Sequence, residues 1–392
     1  MEKKISETDN AYSYVIARTT KAVEDLRPVW ELMQWHPNAD IDFYLTIVAS
    51  RAEILRPHVI ALFSKDQAKA LIVGRVDETA LDVNIGYKTL WRPKVRVLTV
   101  AYGGLLGEQS YSACKALTGI LLDALKKGEA DMIYFENANY HSPFYLIAKK
   151  ELNYLGRDYA PVINPHLEIN LDSTIEDFLG RKGPKRKSEW MRICRKLEKE
   201  QKIQLRRFFD PAEIKTLCDD IEEIAKKTYQ RGLGKGFLYN EEMHNRLTLC
   251  ANMGWLHAYV LYINGTPASF SLGTLYKNTL FLDSTGYDPS YRKYEPGTVV
   301  FLKVMEDLYK SRIVKSVDFG SGDAPYKREY SDHMWNEASF FIFSRNFLAL
   351  RVNFLRTAIF IAYSPLKNAL KRLGLMDKVK KFFRERARKR IG

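Results

Sequence analysis

Asp283-Ser-Thr-Gly-Tyr-Asp-Pro-Ser-Tyr-Arg-Lys-Tyr-Glu-Pro-Gly-Thr-Val-Val300 is the stretch on which the reading of the fold turns. A β-type run ends, a polar loop follows, and Pro296-Gly297-Thr298 opens a helical pattern. Proline is at home in a first helical turn, and the free N–H groups and dipole of a helix start favour a phosphate. Gly297 lets the backbone approach a ligand closely. The same Pro-Gly dipeptide is also ordinary turn chemistry. Further along, Val317-Asp-Phe-Gly-Ser-Gly-Asp-Ala-Pro-Tyr-Lys327 runs a strand into a glycine turn that carries Asp318, Asp323, Tyr326 and Lys327. A carboxylate at a strand end can act as a general base, and a lysine can stabilise an oxyanion. Turn capping by Asp323 is the plainer alternative.

Outward from there, Gly297 to Ser311 has helical apolar spacing, and Val314 to Phe319 and Ala338 to Phe343 read as strands. Upstream, Leu256 to Ile263, Pro267 to Tyr276 and Thr279 to Thr285 form a meander whose first turn is Asn264-Gly265, a strong hairpin signal. Lys185 to Lys202 is a strongly basic helix, preceded by Ser173-Thr-Ile-Glu176 as a capping box. Asp210-Pro211 opens another helix, to about Tyr229, and Asn240 caps the next. The first half has a similar order. Val59–Phe63 and Ala70–Gly74 make a hairpin, Val95–Tyr102 a strand, Ser110–Lys127 a capped helix and Asp131–Phe135 a strand, with Ser142–Leu155 helical. Thr20 to Trp35 is helical with a kink expected at Pro28. The common order of strand, helix and strand predicts an α/β chain built on a duplicated unit, with one large mixed sheet as the alternative.

Composition is that of a globular protein: 392 residues, 46% hydrophobic and 28% charged, with a net charge of +14. It excludes a disordered chain, a collagen-like repeat and a polytopic membrane protein. No uninterrupted apolar run reaches the ~18 residues of a spanning helix, because Phe347–Tyr363 is broken by Arg351, Asn353 and Arg356. The N-terminus lacks the apolar stretch of a signal peptide, so a cytoplasmic chain is expected. Charge is concentrated. Arg345–Gly392 holds 14 Lys/Arg against two acids, and Arg181–Arg207 holds 12 against three, which leaves the remainder mildly acidic. Cys114, Cys194, Cys218 and Cys250 lack metal-knuckle spacing and the seven histidines are scattered, so no metal site is expected. His257 falls in a strand pattern, where a structural role is commoner than that of a base.

The spaced motifs resemble the GNAT acyltransferase superfamily, and more narrowly the branch named for the CelD cellulose-biosynthesis protein, related to the FemAB peptidyltransferases. The residues that carry the resemblance are Gly265, Ala268, Tyr276, Gly286-Tyr287-Asp288, Tyr294, Pro296-Gly297, Asp318-Phe319, Gly322-Asp323 and Tyr326-Lys327, together with the basic helix. It covers about Pro165–Ser344. The usual Arg/Gln-x-x-Gly-x-Gly/Ala loop is replaced by Tyr291-Arg-Lys-Tyr-Glu-Pro-Gly297, with one glycine. The resemblance implies tandem GNAT-like domains, each a mixed, mostly antiparallel sheet flanked by helices. Residues 1–164 would form a degenerate copy, 165–344 the acyltransferase domain with its basic helix at 181–207, and 345–392 a basic amphipathic tail. It implies acetyl-CoA or a longer acyl-CoA as donor, with its pyrophosphate at Tyr294, Pro296, Gly297 and Thr298, and no metal. Asp323 or Asp318 would then serve as base or amine-binding group, and Lys327 and Tyr326 would contact substrate or the leaving thiolate.

In the tail, Leu366, Leu370, Leu373, Met376, Val379 and Phe383 recur at helical spacing among lysines and arginines, after a break expected at Ser364-Pro365. Such a pattern suits the surface of an anionic bilayer, and a solvated tail is the alternative. The basic helix suits a solvated face, an anionic ligand or a nucleic acid. Three functions compete: an acyl-CoA-dependent N- or O-acyltransferase of polysaccharide or envelope biosynthesis at the inner membrane face, a FemAB-type transferase using aminoacyl-tRNA, and a non-catalytic scaffold. A small-molecule or glycan acceptor goes with the first, and nucleic acid only with the second.

Overall fold

Lys65 and Asp66, both at positive φ, close the first hairpin, and Asn264 and Gly265 close its counterpart in the second half. Two-residue turns of this kind match the twist of the strands they join. The computed structural model describes residues 4–5, 12–86, 88–181, 183–232 and 236–373. The chain forms two units, Met1–Pro165 with Trp335–Gly374, and His166–Met334 with Leu375–Gly392.

In the first unit, strands β1 (Ser13–Ala17), β2 (Ile54–Ser64), β3 (Gln67–Ala80) and β4 (Lys94–Gly107) are successive antiparallel neighbours. Helix α1 (Ile41–Ser50) precedes β2 and is capped by Asp40, whose carboxylate accepts from the N–H groups of Asp42 and Phe43. Helix α2 (Tyr111–Lys126) then carries the chain over to β5 (Met132–Asn139), which runs parallel to β4 from Val97↔Met132 to Val100↔Phe135. Leu117, Ile120 and Leu121 of α2 pack on Leu98, Ile133 and Phe135, while Trp30, Tyr44 and Ile41 cover the opposite face through Val59, Leu71 and Val73. Helix α3 (Pro143–Lys150) follows β5. The helix expected over Thr20–Trp35 is two short ones, Thr20–Glu24 and Arg27–Trp30. Proline has no N–H to continue a helix, and Pro28 opens the second instead of kinking one.

The second unit begins within β6 (Val162–Asn170), at His166, and continues with α4 (Ile175–Arg181) and the basic helix α5 (Pro184–Glu200). The capping box sits one residue on from its expected place: Thr174 and Asp177 exchange hydrogen bonds between side chain and backbone. Then come β7 (Ile203–Phe208), α6 (Ile214–Ala225), α7 (Glu241–Asn252), β8 (Leu256–Ile263), β9 (Thr266–Tyr276), β10 (Thr279–Tyr287), α8 (Pro296–Ser311), β11 (Ser316–Ser321) and α9 (Pro325–Tyr330). The strand order is β6-β11-β10-β9-β8-β7. Only β10 and β11 are parallel, and only over Thr279↔Ser316, Leu280↔Val317 and Phe281↔Asp318. The duplicated strand–helix–strand order expected from sequence is therefore present as β4–α2–β5 and β10–α8–β11. Trp190 and Leu197 of α5 and Val300, Val304 and Leu308 of α8 close the core over Leu261, Leu280 and Val317. Lys185, Arg192, Arg195 and Lys199 line the exposed face of α5.

The chain then enters β12 (His333–Phe343), which pairs antiparallel with β5 from Glu337↔Asn139 to Phe343↔Met132. The sequence reading places residues 335–344 with the second half, but this register puts them in the first unit. The last helix, α10 (Phe347–Arg372), runs straight through Pro365 instead of ending at Ser364. Its segment Phe347–Pro365 is long and apolar enough to cross a membrane, which the broken apolar run in the sequence concealed. The second amphipathic pattern continues to Phe383, and from Gly374 it lies outside the described residues.

Two buried histidines set the acid behaviour of the fold. His58 is fully buried, with Nδ1 3.0 Å from Arg56 Nη1. Burial, aided by Arg56 and Arg18 and opposed by Glu129, lowers its pKa from 6.5 to about 4. Burial and Arg207 do the same for His257, to about 4. Between these values the unfolded chain binds protons that the native chain does not. Stability should therefore fall as pH drops from about 6.5 toward 4. Urea midpoints across that window check this, and His58→Gln should show a shallower pH slope than the natural chain.

Candidate active site

β10 and β11 part company after Phe281↔Asp318, and four contacts of Asp318 and Lys327 shape the turn that follows. Asp318 Oδ1 accepts the Gly320 N–H at 2.6 Å and lies 2.7 Å from Nε2 of the buried His166. Lys327 Nζ donates to the carbonyls of Ser321 at 3.1 Å and Gly320 at 3.4 Å. Gly320 and Gly322 have φ of 68° and 108°, a left-handed region open to glycine at little cost. The turn therefore peels β11 away, while β10 continues to Tyr287.

A cleft of about 310 Å³ occupies the second unit where β10 has lost its partner. Leu282, Thr285, Gly286 and Tyr287 of β10 form one wall, Gly297, Thr298 and Phe301 of α8 another, and Tyr326 and Tyr330 of α9 a third. The volume lies at the low end of the range for small-molecule sites. Gly286 is required: a Cβ there would lie 2.7 Å from the ring of buried Phe270. Gly297 is open, since a Cβ would meet only Tyr287, at 3.5 Å.

The start of α8 carries no side-chain cap. Its N-cap, Glu295, is left-handed at φ 50°, an uncommon state for a residue with a side chain. The preceding loop holds it there. Asp288 accepts from Ser290 N–H at 2.9 Å and from Lys227 Nζ at 2.8 Å, while its own N–H donates to Ala268 O. Burial opposes the Asp288 charge, but Lys227 and Ser290 outweigh it and keep the carboxyl below its ordinary range. Tyr294 is buried, and its hydroxyl accepts from Gln201 Nε2 at 2.8 Å. An uncapped helix start with small residues, facing a cleft, suits an anionic group.

The sequence candidates thus fall in different places. Gly297, Thr298 and Tyr326 line the cleft. Tyr294 and Pro296 are buried and are absent from its lining. Asp318 and Lys327 hold the turn, and burial lowers the Lys327 pKa against the opposing pull of Asp318. Asp323 is exposed and makes a two-point ion pair with Arg328, at 3.0 Å through Nη2. His257 is buried beside Arg207, 3.2 Å away, and is absent from the cleft lining. Cys114, Cys194, Cys218 and Cys250 are in no disulfide and are buried. Burial raises the Cys114 and Cys194 thiols to about 11 and Cys218 to about 12, which suits packing and not nucleophilic attack. Sequence reasoning missed Thr228, Gln230, Phe301 and Tyr330, which also line the cleft. Phe301 and Tyr330 stack at 4.0 Å, a contact that no local spacing announces.

The cleft belongs to a fold already known. Residues 184–328 match the acetyltransferase (GNAT) domain family, so the second unit is an acetyltransferase-type domain and the chain an acyltransferase by class. Such domains typically take acyl-CoA. No curated protein sequence matches the chain. Among solved structures it is similar to a tandem GNAT protein of the clavulanic acid biosynthesis pathway, at 10% identity and TM-score 0.50, over 86% of this chain and 99% of that one. It is also similar to the C-terminal domain of a putative lysylphosphatidylglycerol synthetase from Agrobacterium fabrum, at 10% identity and TM-score 0.48, over 86% and 95%. A third is FemX, at 10% identity and TM-score 0.46, over 76% and 94%. The fold is that of tandem GNAT proteins: mixed sheets flanked by helices.

Two substitutions test this geometry. Gly297→Ala should fold and gain about 0.4–1 kcal/mol, because its backbone is not left-handed and the unfolded chain loses freedom. Asp318→Ala removes the acceptor of the Gly320 N–H and should cost about 1–3 kcal/mol. Equilibrium unfolding in urea measures both.

Proposed function

We propose that the second unit transfers an acyl group from acetyl-CoA or a longer acyl-CoA to an amine or hydroxyl of a polysaccharide or cell-envelope precursor, at the inner face of the membrane. The observation that carries the transfer reading is the cleft where β10 parts from β11, walled by the uncapped start of α8 and by Tyr326. The donor pyrophosphate would lie against the start of α8 at Gly297 and Thr298, and the thioester arm along β10. The resemblance to the CelD branch supports the polysaccharide assignment.

The chemistry needs no covalent enzyme intermediate. The acceptor nitrogen or oxygen attacks the thioester carbonyl carbon, the new bond to carbon forms, and the C–S bond breaks. The nucleophile loses its proton to water, and the departing thiolate takes one from the Tyr326 hydroxyl, which water then restores. Backbone N–H groups of β10 beyond its paired segment would steady the oxyanion. Of the four catalytic candidates, Tyr326 is the one that lines the cleft. Asp323 and Lys327 act from the flanks, one as an acceptor-binding group beside Arg328, the other by holding the turn.

Thermal unfolding of the full chain with acetyl-CoA and longer acyl-CoA esters tests the donor. A donor at 100 times its Kd should stabilise by about 2.7 kcal/mol. Gly297→Glu should abolish that shift. Tyr326→Phe should keep it and lower turnover by about 10²-fold or more. No shift with any ester would overturn the acyl-CoA reading. Ribonuclease-sensitive activity would then point to aminoacyl-tRNA bound on the exposed basic face of α5. With no transfer detected to any acceptor, cellular function that survives both Asp323→Ala and Lys327→Ala would leave a scaffold.

A further inference from the structure

Helix α10 is turned the wrong way for a helix in water. Phe347, Phe354 and Ile361 recur at seven-residue spacing and are 81%, 72% and 65% exposed. They share an outward stripe about 21 Å long. Two polar groups of the same helix, Asn353 and Arg356, point inward. Asn353 Nδ2 donates to the carbonyls of Leu155 and Arg157 at 3.0 and 2.9 Å, and Arg356 Nη2 to Ala160 O at 3.0 Å and Asp158 Oδ2 at 3.3 Å. Ala349 and Val352 are fully buried beside them. These bonds fix the rotation of the helix and leave its apolar side without a covering element among the described residues. The loop they anchor adds exposed Tyr154 and Leu155, and the start of β6 adds exposed Val162 and Ile163.

A groove of about 330 Å³ opens beside this face, within the first unit. Tyr145, Tyr159, Phe341 and Phe360 form its wall, with Lys149 and Arg157 among them. Phe360 is itself part of α10 and 46% exposed. Lys149 Nζ rides over the rings of Tyr140 and Tyr145, at 5.5 and 6.0 Å. Arg157 gives its Nη2 to two carbonyls, while its buried Nε–H has no hydrogen-bond partner among the described residues. The carboxylate in the lining, Asp158, is engaged by Arg356 and by the Phe341 N–H. The groove thus offers cations on an aromatic wall.

We propose that this face docks on an anionic bilayer and that the groove takes one of its phospholipids, phosphate toward Lys149 and Arg157 and acyl chain along the aromatic wall. Charge complementarity selects the occupant: the segment from Arg345 onward carries 14 Lys/Arg against two acids. Aromatic side chains and snorkelling cations are the groups that settle at a membrane interface. The helix lies in the interface and does not cross, because Asn353 and Arg356 tie its inner side to the unit. The inference is independent of the acyltransfer reading, which rests on the other unit.

Co-sedimentation of the full chain with vesicles tests it. Binding is expected to vesicles of equal parts phosphatidylcholine and phosphatidylglycerol, to weaken with added salt, and to be at least about tenfold weaker to phosphatidylcholine alone. Phe354→Glu with Ile361→Glu, both at exposed positions, should abolish binding while the melting curve is kept. Lys149→Glu should retain part of the binding but lose the preference for phosphatidylglycerol. Equal binding to both vesicle types, or none, overturns the proposal without any variant. Unchanged binding of the double variant overturns it too. Self-association that the double variant abolishes, with no vesicle binding, would assign the face to a second copy. Membranes from cells should release the protein to carbonate; retention would mean a spanning helix and overturn it.

Discussion

Three residue pairs decide the architecture of the second unit. β10 and β11 run parallel only from Thr279↔Ser316 to Phe281↔Asp318. Parallel neighbours need a crossover, and α8 supplies it, burying Val300, Val304 and Leu308 in the core. Because the pairing is so short, the sheet splits just where the helix begins. The split is enforced by Asp318, whose carboxylate is committed to the Gly320 N–H and His166 and therefore bends the strand out of register. A sheet that divides exposes backbone groups on both lips, and a ligand with its own hydrogen-bonding groups can satisfy them. The cleft is thus a consequence of topology, and side chains only tune it.

The first unit repeats the device with a different outcome. β4 and β5 are parallel over four pairs, with α2 as the crossover. Past that pairing, β4 carries Gly103 at φ 76°, and a Cβ there would lie 2.5 Å from the His36 side chain. His36 packs edge-on to Tyr102 at 4.4 Å, and the Tyr102 hydroxyl donates to the buried Glu337. Here the strand beyond the split is packed by the protein's own aromatic groups.

How much of this could be read from sequence depended on whether the deciding interaction was local. The Asn264-Gly265 turn and the Ser110 and Asn240 caps are local, and each sits where its residues predict: Ser110 Oγ accepts from Ala113 N–H and Asn240 Oδ1 from Met243 N–H. The helix start at Pro296 was equally legible. The missed pieces depend on distant partners. β7 hides in the basic tract because Arg206 and Arg207 find Glu213 and Asp307. The Tyr326-Lys327 segment reads as a glycine turn, yet it is helical, anchored by Tyr330 in the aromatic cluster with Trp190 and Phe301. Pro365 looked like a helix break, and the helix passes through it. Of the candidate residues singled out by motif, Gly297, Thr298 and Tyr326 line the cleft. The roles of Asp318 and Lys327 in the turn could not be seen without knowing where the chain goes next.

The last strand has a consequence for how the chain is made. β12 pairs with β5 across about two hundred residues of sequence, through Glu337↔Asn139 to Phe343↔Met132. Until it emerges, a growing chain holds β5 as a bare edge, with Ile133 and Phe135 already gathered under α2. Bare edges invite pairing with other chains, and distant pairings form slowly. The second unit, by contrast, has every strand of its own sheet by Ser321. The half that begins first is therefore completed last, and the ribosome delivers its closing strand only after the other sheet is whole.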